Sequence, residues 1–121
     1  MSTTPFEAGD VVLVRFPFTD LASSKRRPVL VISPPEFTLR YGDLVVLALT
    51  SRAQPEAGLR LVGQAEAGLP RPTWIKPLIA TLSARVVEKR LGRLAETDIP
   101  RVGEALGFLV DSSFGPPCGN Q

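Results

Sequence analysis

Three short apolar runs, separated by glycine and proline, constrain this chain more than any other feature. Val11-Val12-Leu13-Val14 opens after Gly9-Asp10, and Val29-Leu30-Val31-Ile32 sits between Pro28 and the Ser33-Pro34-Pro35 breaker. Residues 44–49 read Leu-Val-Val-Leu-Ala-Leu. Continuous runs of this length fit strands buried on both faces, although periodicity alone does not separate them from short buried helices. Valine enrichment and the flanking breakers favour strand. The runs predict strands over Asp10–Phe16, 29–32 and 44–49.

Less regular strand signals follow. Residues 59–62 fit one arm of a hairpin. Residues 73–76, pinned between Pro72 and Pro77, fit an edge strand or a covering loop. Residues 83–94 fit one longer strand with a bend at Gly92. The end of the chain changes period: Ile99, Val102, Leu106, Leu109 and Val110 recur at helical spacing. Pro100 is tolerated only in a first turn, which places the helix start near Asp98, with Thr97 or Asp98 as cap. Gly103 and Gly107 each weaken that helix by roughly 1 kcal/mol against alanine, so packing must hold it. Strands followed by one helix predict a mainly β fold, a small barrel covered by a C-terminal α-helix.

A length of 121 residues suits one domain. The expected division is a domain over 1–110 and a flexible Ser/Gly/Pro-rich tail over 111–121. The formal net charge of +2 permits contact with a phosphate backbone without demanding it. Basic groups serving a nucleic acid must then be well placed rather than numerous. Cys118 is the single cysteine, so no intrachain disulfide forms. The first nine residues lack the pattern of a signal peptide, and run 44–49 is far too short to span a bilayer. The expectation is a cytoplasmic protein with no membrane partner.

The chain has no histidine. That removes the commonest general base at neutral pH and the commonest zinc ligand. Catalysis must use Arg, Lys, Thr, Ser, Tyr or carboxylates, and no metal or other cofactor is expected. Residues 17–27 join two strands by a connection long for a hairpin, the kind that is often functional. It ends in Lys25-Arg26-Arg27. Alone, that triplet is an ordinary basic loop tip, and Thr50-Ser51 is ordinary polar punctuation at a strand end.

In order and spacing these residues resemble the MazF/PemK family of toxins. The resemblance rests on Gly9-Asp10-Val11-Val12-Leu13-Val14, Phe16-Pro17-Phe18-Thr19-Asp20, and the stretch from Lys25-Arg26-Arg27-Pro28 to Ser33. It continues through Thr50-Ser51, Trp74-Ile75-Lys76, Thr81-Leu82 and Leu91-Gly92-Arg93-Leu94, covering residues 9–110. It implies an SH3-like β-barrel of the MazF/CcdB/Kid type, acting as a homodimer. It also implies metal-independent cleavage of single-stranded RNA and inhibition by a cognate antitoxin whose unstructured segment covers the RNA site. On this resemblance Arg27 and Thr50 are the catalytic residues, and Asp20, Ser24, Lys25, Arg26 and Ser51 contact RNA. The sequence departs from the family at Ser23-Ser24-Lys25-Arg26, where many relatives are Gly-rich, and at Ala95, a poor helix cap.

RNA carries its own nucleophile, the 2′-hydroxyl. A guanidinium can fork onto two phosphate oxygens and neutralise the charge that builds as this oxygen attacks phosphorus. Arg27 takes that role, with possible acid function, and Thr50 can donate to another phosphate oxygen. The implied products are a 2′,3′-cyclic phosphate and a 5′-hydroxyl. Arginine is a poor base, so the base is left open between Asp20 and Glu36. Two other functions compete: a CcdB-like poison of DNA gyrase, and an RNA-binding relative without turnover. Trp74 reads first as cover for the core or a dimer edge, with base stacking as the second reading.

Overall fold

The computed structural model describes residues 6–16, 25–55 and 59–114. Strands β1 (Asp10–Phe16), β2 (Lys25–Val31), β3 (Asp43–Thr50), β4 (Trp74–Ser83) and β5 (Val87–Arg93) form one five-stranded antiparallel sheet in the order β4-β3-β2-β1-β5. Helix α1 (Pro35–Tyr41) joins β2 to β3, and helix α2 (Ile99–Leu109) follows β5.

The continuous apolar runs do what their lack of alternation requires. In β1 and β2, neighbouring residues are buried on opposite faces: Val11 and Val12, Leu30 and Val31. Two clusters result. One joins Val11, Leu30, Leu47, Leu49 and Ile75 to Leu59, Leu61 and Leu69, with Val102 and Leu106 of α2 packed against it. The other joins Val12, Val14, Val29, Val31, Leu44 and Val46, and is closed by Ala80 and Leu82 of β4, Val87 of β5, and Val86 between the two strands. The sheet therefore curls over its second face. It is barrel-like but not closed, since β4 and β5 are its two edges.

Several expectations need correction. Strand β2 starts at Lys25 rather than at residue 29, because Lys25 to Pro28 pair with β1. The segment after Ser33 is not only a breaker. Pro35 opens α1, and Gly42, at φ 76°, closes it by donating its N–H to the Thr38 carbonyl at 2.8 Å. Residues 83–94 are not one strand: a 3-10 turn, Ala84–Val86, precedes β5, and Ser83 accepts from the Arg85 N–H. The expected bend at Gly92 is a bulge, since Val11 pairs with Gly92 while Val12 pairs with Arg90. A Cβ at Gly92 would collide with the backbone of Ala67, so only glycine allows the covering segment to lie on β5.

Residues 59–62 do not form a hairpin arm; a single bridge links Arg60 to Trp74. Residues 73–76 do open an edge strand, but it runs on to Ser83. Its Pro77 falls in a bulge, where no ladder donor is needed. Asp98 does not cap α2. Its fully buried carboxylate accepts from Val62 N–H and Gly63 N–H, each at 2.8 Å, and so ties the covering segment to the start of the helix. The first residues of the expected tail, Ser112–Phe114, adopt a 3-10 turn, and Asp111 accepts from the Ser113 N–H and hydroxyl.

Candidate functional site

Antiparallel pairing brings the start of β2 and the end of β3 to the same end of the sheet. The β2–β3 register sets Val29 against Ala48 and Leu30 against Leu47. Carried two residues further, it sets Arg27 opposite Thr50, on the same face. Both line one pocket of about 290 Å³, with Arg26, Ser51, Arg52 and Arg71 on its walls and Leu49 and Leu69 below. Among the described residues no carboxylate lines it.

The charges differ in their commitments. Among the described residues Arg27, Arg52 and Arg71 have no carboxylate partner. Arg26 lies on the other face by strand alternation and is held by Glu88 at 2.6 Å. Glu88 also takes Arg15 at 2.7 Å. The Arg15 hydrogen bond is the largest influence on the Glu88 carboxyl, and together with the charges of Arg26 and Arg15 it outweighs desolvation and holds that carboxyl below the usual range. Arg26 thus both walls the pocket and braces β2 to β5.

Thr50 is oriented by the turn that follows it. Its hydroxyl oxygen accepts from the Arg52 N–H at 3.1 Å, which leaves its own proton for an acceptor in the pocket. Ser51 is exposed on the same wall. Glu36 is on α1, beyond the opposite end of β2. The four steps from Arg27 to Val31 alone span about 13 Å, so Glu36 is not a base for this pocket. Asp20 and Ser24 lie outside the described residues, as does the Lys25 side chain.

Two cations of this pocket gave no signal in the sequence. Arg52 lies beyond the Thr50-Ser51 pair. Arg71 is bracketed by Pro70 and Pro72 in a loop that reaches the pocket only because β4 folds back on β3, and its carbonyl accepts from Thr73 Oγ1 at 2.9 Å. Trp74 belongs to neither core cluster. It is the cross-strand partner of Thr50, with the Arg60 guanidinium 5.5 Å above its ring.

A family model described as PemK-like, MazF-like toxin of type II toxin-antitoxin system matches residues 7–110. A comparison with curated proteins finds no match. Among solved structures, one chain of a MazE-MazF crystal structure from Deinococcus radiodurans superposes at TM-score 0.70 and 24% identity, covering 89% of this chain and 96% of that one. An endoribonuclease in complex with its cognate antitoxin, from a mycobacterial species, superposes at 0.63 and 19% identity, covering 88% and 93%. The Mycobacterium tuberculosis toxin MazF-mt6 superposes at 0.65 and 20% identity, covering 84% and 98%.

Proposed function

Because this chain belongs to the PemK-like, MazF-like toxins of type II toxin-antitoxin systems, we propose that it is a metal-independent, sequence-selective endoribonuclease that cuts single-stranded RNA. The observation that carries the reading is the pocket in which Arg27 and Thr50 meet with three further arginines, Arg26, Arg52 and Arg71, and no carboxylate among the described residues. Such a concavity attracts a polyanion and has cationic side chains to take the charge role that a metal serves elsewhere.

In the reaction the 2′-oxygen attacks the adjacent phosphorus and loses its proton to a base. The bond to the 5′-oxygen breaks, and that oxygen takes up a proton. The products are a 2′,3′-cyclic phosphate and a 5′-hydroxyl. Arg27, always charged, steadies the phosphoryl oxygens as charge accumulates on them. Thr50, its oxygen already held by the Arg52 N–H, donates to one of them. Ser51 lines the same wall and contacts the RNA. DNA lacks the attacking hydroxyl and stays intact.

The protein works in the cytoplasm as a homodimer, restrained by a cognate antitoxin. Exposed Ile99, Phe108, Val110 and Phe114, on and just after α2, offer apolar surface for a second copy. An extended antitoxin segment laid over the basic pocket blocks RNA. Sedimentation at micromolar concentration reads the dimer directly.

The deciding experiment incubates the purified protein with a long single-stranded RNA and EDTA, then maps the new 5′ ends. Discrete cuts bearing 5′-hydroxyls are expected, and Arg27→Ala should slow their appearance about 10²- to 10³-fold while circular dichroism stays unchanged. Intact RNA with folded, antitoxin-free protein overturns the reading. Tight RNA binding without cuts identifies a non-catalytic relative instead.

A further inference from the structure

The outward-facing ends of four neighbouring chain segments form a single row. Arg27 on β2 falls opposite Thr50 on β3 when the register is continued, Thr50 pairs with Trp74 on β4, and Trp74 bridges to Arg60. Directly paired residues in adjacent strands put their side chains on the same face. The row therefore presents Arg, Thr, Trp and Arg side by side, over three strand spacings or roughly 14 Å. The contact of Arg60 with the Trp74 ring, 5.5 Å to its centroid, agrees with this placement.

We infer that Arg60 and Trp74 form a nucleotide subsite beside the cleavage site, where an unpaired RNA base stacks on the guanidinium that Trp74 supports. The inference rests on the endoribonuclease reading above and extends it to the next part of the substrate. A guanidinium seated over an aromatic ring has its outer side open to a base, and stacking of this kind tolerates any base. Arg60 is exposed, and among the described residues it has no carboxylate partner. Beyond it lies a second pocket of about 350 Å³, lined by Arg60, Leu61, Val62, Gln64 and Arg101. Arg101 approaches Asp98 at 3.6 Å and donates to the Thr97 carbonyl, but its Nε has no acceptor. Asp98 itself is fully buried and occupied by two backbone N–H groups. The phosphate that follows the stacked base has two guanidiniums to meet there.

Trp74 is the chain's single tryptophan, so its fluorescence reports on this subsite alone. The test titrates a single-stranded RNA into the full-length Arg27→Ala protein, which holds RNA and cuts it only slowly, while fluorescence anisotropy of a dye on the RNA reports binding independently. Saturable quenching of Trp74 emission is expected, and much less with duplex RNA. In the cutting-competent protein, Arg60→Ala should raise KM about tenfold and leave kcat within about twofold. Arg60→Lys, which keeps the charge but loses the flat stacking face, should retain most of that rise. RNA that binds with no change in Trp74 emission, together with an unaltered KM in Arg60→Ala, overturns the subsite while leaving the nuclease intact. Quenching by RNA that the wild-type protein never cuts overturns the nuclease and leaves the subsite. RNA that does not bind at all overturns both.

Discussion

The two ends of the sheet use arginine in opposite ways. At the start of β1, the nearly buried Asp10 takes Arg90 Nη2 and Arg93 Nη1, each at 2.9 Å, and accepts the Glu7 N–H as well. Asp10, Glu7, Arg90 and Arg93 are balanced against one another there. At the other end, Arg27, Arg52 and Arg71 surround a pocket with no carboxylate among the described residues. A guanidinium balanced by an internal acid serves the structure, whereas several unbalanced ones around a concavity leave a field that an external anion must satisfy. Arg26 and Arg27 show the contrast within one dipeptide. Pleating sends them to opposite faces; both line the pocket, but Arg26 is tied to Glu88 while Arg27 has no carboxylate partner among the described residues.

The contrast is sharpest at Arg27. Arg27→Ala should lower the RNA cleavage rate about 10²- to 10³-fold, as removal of one preorganised charge-stabilising donor does, with the urea midpoint unchanged. A large loss of stability instead would place Arg27 with the structural arginines.

Asp10→Ala inverts the pattern. It strands Arg90 and Arg93 and should cost about 2 kcal/mol in urea unfolding, less than a fully buried pair because both guanidiniums are half-exposed. Cleavage per folded molecule should hold. If unfolding is unaffected, the balanced end is decoration.

Arg52→Ala and Arg71→Ala should each raise KM a few-fold and reduce the slope of log K against log salt by about 0.7, the value for one phosphate contact to a single strand. An unchanged slope would detach them from the RNA.

The smallest effect belongs to Glu88. Its carboxyl is held below the ordinary glutamate range, so its favourable pairing is complete above that range and lost as pH falls through the lowered value. Glu88→Gln should therefore flatten the acid limb of a pH–stability profile slightly. It also frees Arg26, and any accompanying fall in KM would show that the ion pair restrains a fourth pocket arginine from meeting RNA.

Much of the fold was readable from residue order because double burial leaves an unmistakable mark. Val11 to Val14 and residues 44–49 lack polar alternation, and both lie in strands covered on each side. Helix α2 begins beside Pro100 as its steric demand requires. Helix α1 leaves no mark in the sequence, because none of its residues is buried and it has no apolar period. Asp98 looked like a cap because it precedes a helix, yet two backbone N–H groups more than thirty residues upstream claim its carboxylate.

The site divides along the same line. Arg27 and Thr50 could be named from their places beside Pro28 and at the end of an apolar run, by resemblance to a family. Residue order by itself settles local matters: which segments extend, where a helix starts, which side chains are charged and that no imidazole is present. Arg52, Arg71, and the row that continues through Trp74 to Arg60 are decided by strand pairing between distant segments. Their convergence depends on register and on the bulge at Pro77, quantities set by the packing of the whole sheet.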